Sequence, residues 1–160
     1  MSLLRVVYYS RQRVGRSRET ITDQLADILQ ASIANNRQHG ITGAMILDHR
    51  WVVQVLEGRT SAVTTAYQRI ACDARHSDIV LADQTEIDER RFPYWWMAGA
   101  AIEPDMDELV RRWCGDSGFD PSRMAPRRLV DLTEAVVTAY MERTPMPVMR
   151  RAGAPVQPQA

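Results

Sequence analysis

Gln54 stands inside an otherwise apolar run, Trp51-Val52-Val53-Gln54-Val55-Leu56, which is followed by Glu57-Gly58. An interior amide left without a partner costs about 1–3 kcal/mol, so this position demands one. Alternation along a strand puts Gln54 on one face with Val52 and Leu56. The same rule, applied to the opening run Leu3-Leu4-Arg5-Val6-Val7-Tyr8-Tyr9, groups Tyr8 with Leu4, Val6 and Ser10. A helical stripe of Ile21, Leu25, Ile28 and Leu29 continues on its own face into two polar residues, Ser32 and Asn36. If these faces meet, Tyr8, Gln54 and Asn36 converge. An amide carries two donor hydrogens and an acceptor, and a phenol one of each. Together they can read the edge of a planar heteroaromatic ligand bearing imide and carbonyl groups.

Each residue also has a plainer explanation when taken alone. Gln54 reads as a satisfied structural amide, Asn36 as a residue of a helix terminus, and Tyr8 as a core tyrosine. Trp95, Trp96 and Met97 read as sheet-core filler, and His76 as the cation at a helix C-terminus. Cys72 and Cys114 lie far apart without metal-ligand spacing and read as reduced thiols of a cytoplasmic protein.

The elements that must position these groups are legible in outline. Residues 3–9 form a strand, and 10–17 an Arg-rich polar loop. Thr20 and Asp23 resemble a capping box that opens a helix running to Asn36, with His39-Gly40 beyond its end. Strands at 44–47 and 51–56 are joined by Asp48-His49-Arg50, the spacing of an antiparallel hairpin. A second helix from Thr60-Ser61 buries Val63, Ala66, Tyr67 and Ile70 and stops at 73–76. Strands at 79–82 and 95–102 follow. The order βαββαββ predicts a ferredoxin-like α+β fold, an antiparallel-rich sheet with two helices on one face. Beyond Pro104, Leu109, Val110 and Trp113 suggest a short helix. Leu129, Leu132, Val136, Ala139 and Tyr140 predict an amphipathic one over 126–141, covering the second sheet face or a partner subunit. From 143 onward the composition is that of a disordered tail.

With 160 residues and 45% hydrophobic content the chain suits one compact domain. Its 20 basic and 20 acidic residues give no net charge, unlike a generic nucleic-acid binder. No apolar run has transmembrane length, and the first five residues do not form a signal peptide.

Order and spacing go further. The run Asn35-Asn36-Arg37-Gln38-His39-Gly40-Ile41-Thr42-Gly43 resembles the "NN…GITG" signature of the BLUF family, flavin-dependent blue-light sensors. Tyr8-Tyr9-Ser10 is similar to the family's Tyr-x-Ser. The likeness continues through Gln54-Val55-Leu56-Glu57-Gly58 and Asp73-Ala74-Arg75-His76, and closes with 90–97, Arg-Arg-Phe-Pro-Tyr-Trp-Trp-Met. Five motifs in order over about residues 2–102 make it specific. Val52 departs from the Phe common two residues before the glutamine, and Trp96 stands where a smaller or polar residue is common.

The resemblance implies that FAD, or alternatively FMN, binds between the two helices of the sheet layer. It implies flavin contacts from Tyr8, Asn36, Gln54, Arg75 and His76, with Ser32 and Asn35 as further contributors. Tyr8 is the implied electron and proton donor, Gln54 the amide that rearranges, and Trp95 and Met97 the strand residues that relay the change. Residues 1–103 would be the flavin-binding domain, 104–142 a helical extension and 143–160 the tail. The implied protein is a cytoplasmic, homo-oligomeric photoreceptor, without enzymatic activity, that signals through a downstream protein. It involves neither nucleic acid nor membrane. Two rivals are a flavin-free interaction module of the same fold, disfavoured because Tyr8, Asn36 and Gln54 are all present, and an acylphosphatase-like enzyme. The enzyme is disfavoured because no Gly-rich phosphate loop precedes the first helix, and Arg11, Arg13 and Arg16 read as a solvated loop.

Overall fold

The structure, a computed structural model, describes residues 2–12, 18–74 and 76–143. Five strands, β1 (Leu3–Gln12), β2 (Thr42–Leu47), β3 (Trp51–Arg59), β4 (His76–Ile87) and β5 (Ala98–Ala101), form one sheet in the order β4-β1-β3-β2-β5. The first four pair antiparallel, and β5 runs parallel to β2. Helices α1 (Arg18–His39) and α2 (Thr60–Ala71) cover one face, and α4 (Pro126–Arg143), preceded by the short α3 (Asp107–Cys114), covers the other. This is the ferredoxin-like α+β arrangement, with the added helices on the second face.

Two glycines set the entry to the hairpin. Gly40 has φ +67° and follows α1, and the Ile41 amide donates to the Asn36 carbonyl at 2.9 Å, the bond that closes a Schellman end. At Gly43 a Cβ would lie 2.0 Å from the Val55 carbonyl oxygen, so only glycine lets β2 approach β3 this closely.

Two cores result, one on each side of the sheet. Leu4, Val6, Leu56 and Met45 pack against Leu25 and Leu29 of α1 and Val63 and Ala66 of α2. Val7, Val53, Val55 and Ala100 pack against Leu129, Leu132, Val136 and Tyr140 of α4. The expected stripe of α4 is therefore seated on the second sheet face, with Ala139 only half-buried. Tyr67 and Ile70 of α2, expected in the core, are half-buried at its margin.

Several element bounds differ from those read off the sequence. The first helix begins at Arg18 and extends to His39, so Thr20 lies inside it and is not its cap. Strand β4 runs over twelve residues, well beyond 79–82, and His76 opens that strand instead of capping a helix. It is an edge strand with no fully buried residue, so no alternation marks its length. Its register against β1 shifts twice, and Asp78 takes φ +51° within the second irregularity. Strand β5 is shorter than 95–102. Trp95 and Met97 precede it, and the Trp95 carbonyl is tied to the sheet, accepting from the Gly43 amide at 3.1 Å. Arg143 closes α4, and the rest of the expected tail lies outside the described residues.

Candidate functional site

Tyr8 and Gln54 stand directly opposite each other in the β1–β3 register, on the face covered by α1 and α2. Both are almost wholly buried, at 1% and 4% exposure. The Tyr8 hydroxyl donates to Gln54 Oε1, and Gln54 Nε2 donates to Met97 Sδ at 3.6 Å. The expensive amide therefore has a donor on its oxygen and a soft acceptor on its nitrogen. Burial above all, then the electrostatic influence of Tyr67 and Asp73, pushes the Tyr8 phenol far above its ordinary pKa. Its proton stays in place at any physiological pH, and it can leave only if the hydrogen-bonded partner takes it.

Aromatic rings flank the phenol. Tyr67 of α2 lies 5.6 Å from Tyr8 between centroids at 55°, and the His76 ring stands edge-on at 6.3 Å. Desolvation raises the Tyr67 phenol as well. Ser10, fully buried two residues beyond Tyr8, shares a hydrogen bond of 2.9 Å with His76 Nδ1. This contact orients the imidazole beside Tyr8.

Asn36, 3% exposed near the end of α1, donates from Nδ2 to the Trp96 carbonyl at 2.7 Å. Tyr8, Gln54, Asn36, His76 and Met97 thus gather on the α1/α2 side of the sheet. Ser32 lies one helical turn before Asn36 and is half-buried. Asn35 is half-buried too, and its backbone carbonyl meets His39 Nδ1 at 2.8 Å. Arg75 lies outside the described residues.

Trp95 and Met97, grouped by the sequence on one strand, are separated by the structure. Met97 is buried against Gln54 in the α1/α2 core. Trp95 stacks on Phe92 at 6.0 Å and packs with the core beneath α4. Three contributors escaped sequence reading: the Tyr67 ring as a wall of the site, the Trp96 backbone carbonyl, and the fully buried Glu57 carboxylate. Only Glu57 left a signal, a charge abutting an apolar strand.

Two amides, a phenol, an imidazole and flat aromatic walls suit a planar ring whose edge alternates N–H and carbonyl groups. The isoalloxazine ring of a flavin has that chemistry, so this donor set fits the group. The fold and site together define a ferredoxin-like α+β domain built around a buried tyrosine–glutamine pair.

Comparison with known proteins gives the family. The profile of BLUF, "Sensors of blue-light using FAD", matches residues 3–98, and the chain belongs to that family. Its cofactor is accordingly FAD. It is similar to photoactivated adenylate cyclase subunit beta of Euglena longa, 34% identical over 79 residues, 49% of this chain and 9% of that protein. Subunit alpha of Euglena gracilis is 39% identical over 66 residues, 41% of this chain and 6% of that protein. The chain thus spans under a tenth of these curated relatives. Among solved structures, the dark state of the BLUF protein BlrB aligns with TM-score 0.68 and 27% identity, over 86% of this chain and 97% of that one. The photo-activated state of BlsA, at 23% identity, TM-score 0.71 and coverage of 84% and 94%, shares the fold. Among the described residues no helix is long and apolar enough to cross a membrane.

Proposed function

We propose that Tyr8, Gln54 and Met97 form the light-driven switch of this blue-light sensor. The observation that carries this reading is the continuous buried chain from the Tyr8 hydroxyl through both ends of the Gln54 amide to Met97 Sδ. Asn36, Arg75 and His76, with Ser32 and Asn35 as further contributors, hold the flavin. FAD, when bound, supplies the blue-light absorption and the electron acceptor. Tyr8 gives up one electron, and its hydroxyl proton moves toward Gln54 Oε1 along the bond already in place. The coupling is obligatory, because an oxidised phenol is strongly acidic and this one is shut off from water. Gln54 then reverses the bonding sense of its amide, by rotation or tautomerisation, and its hold on Met97 changes. Electron and proton return to Tyr8 while the amide keeps its second arrangement until thermal recovery.

In this reading residues 1–103 are the sensing unit and 104–142 the helical extension through which a cytoplasmic homo-oligomer meets a downstream protein. The chain itself catalyses no reaction. Trp95, on the α4 side, belongs to the route outward and not to the contact with Gln54.

The purified protein is expected to be yellow, with blue light producing a small reversible red shift of its flavin bands. The Tyr8→Phe variant should retain flavin and lose the red-shifted state. A protein that stays colourless after reconstitution with FAD, or a normal red shift in Tyr8→Phe, would refute the proposal.

A further inference from the structure

The connection between β4 and β5 is held from both faces of the sheet. On the α1/α2 side, Met97 Sδ accepts from Gln54 and the Trp96 carbonyl accepts from Asn36. On the α4 side the anchor is Glu57, whose side chain is 0% exposed. Glu57 Oε2 accepts from the Phe92 amide at 2.9 Å, and Oε1 accepts from Arg5 Nε at 2.7 Å. Arg90 reinforces it, donating to the Glu57 carbonyl at 2.9 Å, Thr42 Oγ1 at 2.8 Å and the Gly40 carbonyl at 2.8 Å. Both carboxylate oxygens therefore have donors, one charged and one from the backbone.

A buried carboxylate paired in this way contributes little net stability compared with an apolar residue of similar shape. What it supplies is register, since its partners satisfy it in one alignment only. The backbone it aligns is the segment that ends on Met97. Gln54 and Glu57 lie on the same strand with side chains on opposite faces, so the sheet itself provides the rigid reference between them.

We propose that Glu57, assisted by Arg90, is a positioning residue of the photocycle. Its bond to the Phe92 amide fixes the register of residues 90–97 and so places Met97 Sδ against Gln54 Nε2. This rests on the Tyr8–Gln54 switch proposed above. Without the anchor the segment slides, the amide loses the acceptor that draws it back, and thermal recovery slows.

The test follows dark recovery of the red-shifted state in the FAD-loaded full chain for wild type, Glu57→Leu, which removes both acceptor oxygens, Met97→Ala and the double variant. Each single variant should form the red-shifted state and recover about two- to tenfold more slowly, the range one net hydrogen bond is worth. The double variant should match Met97→Ala, because both changes remove the same contact. Glu57→Asp, which keeps the charge but is one methylene too short for Phe92, should behave as Glu57→Leu does. It serves as the reporter if the Leu variant does not fold. Val136→Ala, in the core beneath α4, lowers the melting temperature and should recover at the wild-type rate. Recovery of both Glu57 variants at the wild-type rate, slowing that multiplies in the double variant, or equal slowing in Val136→Ala would overturn the proposal. A wild type without any red shift would instead remove the switch on which it rests.

Discussion

The Tyr8–Gln54 bond makes a thermodynamic prediction independent of light. Tyr8→Phe preserves the ring and leaves no cavity, but Gln54 Oε1 loses its donor at a position where the residue is 4% exposed. Stranding a buried acceptor costs about 1–3 kcal/mol. Gln54→Leu strands the Tyr8 hydroxyl, on a residue 1% exposed, and also removes the Met97 contact, at a similar cost of about 1–3 kcal/mol. Replacing both partners by apolar groups leaves neither stranded, so the double variant should lose less than the sum of the singles. The coupling energy is expected at about 1–3 kcal/mol. For a chain of this size each kcal/mol moves the melting temperature by roughly 2–4 °C. The assay is urea unfolding in the dark at fixed excess FAD. Each variant's own FAD affinity is measured so that the ligand's contribution to stability can be subtracted. Losses that add within about 0.5 kcal/mol would show that the two side chains do not depend on each other, and the buried pair would not act as one unit.

Alkaline pH provides a second check. Burial raises the Tyr8 phenol in the folded protein above the value of about 10 it has when unfolded. Above that value the unfolded chain gives up a proton that the folded one keeps, so folding stability falls as pH rises. The slope from this group is at most about 1.4 kcal/mol per pH unit, and below about pH 9 the group contributes no slope. Denaturation followed from pH 7 to 11 should show the loss in wild type and a shallower one in Tyr8→Phe; equal slopes would contradict the assignment. At Gly43, a methyl group meets the Val55 carbonyl oxygen at 2.0 Å, so Gly43→Ala forces β2 away from β3. A loss of about 3 kcal/mol or more is expected, with weakened FAD retention, and a melting temperature equal to wild type would refute the close approach.

Local periodicity carried much of this protein. A strand's side chains alternate whatever surrounds it, so the sequence alone put Tyr8 and Gln54 on matching faces, and helical spacing carried the α1 stripe to Asn36. The same spacing marked the buried face of α4, and the order of elements implied the sheet and its two helices. Arg75 is named by motif alone, since it lies outside the described residues.

Where a segment has no period, the sequence had nothing to report. The edge strand β4 buries no side chain completely, so its length was invisible, and its bulges depend on pairing with β1. Residues 90–97 form an irregular crossing whose side chains diverge to opposite faces, so spacing could not separate Trp95 from Met97. The crossing brings Phe92 to Glu57 and Met97 to Gln54, contacts between residues 35 and 43 positions apart. Which amide hydrogen meets which sulfur is decided by the path of the backbone across the sheet. The sequence by itself determined the chemistry available at Gln54 and the face it occupies. Only the tertiary structure decided its partners, because hydrogen bonds require atoms within about 3 Å and no local pattern sets distances between distant segments.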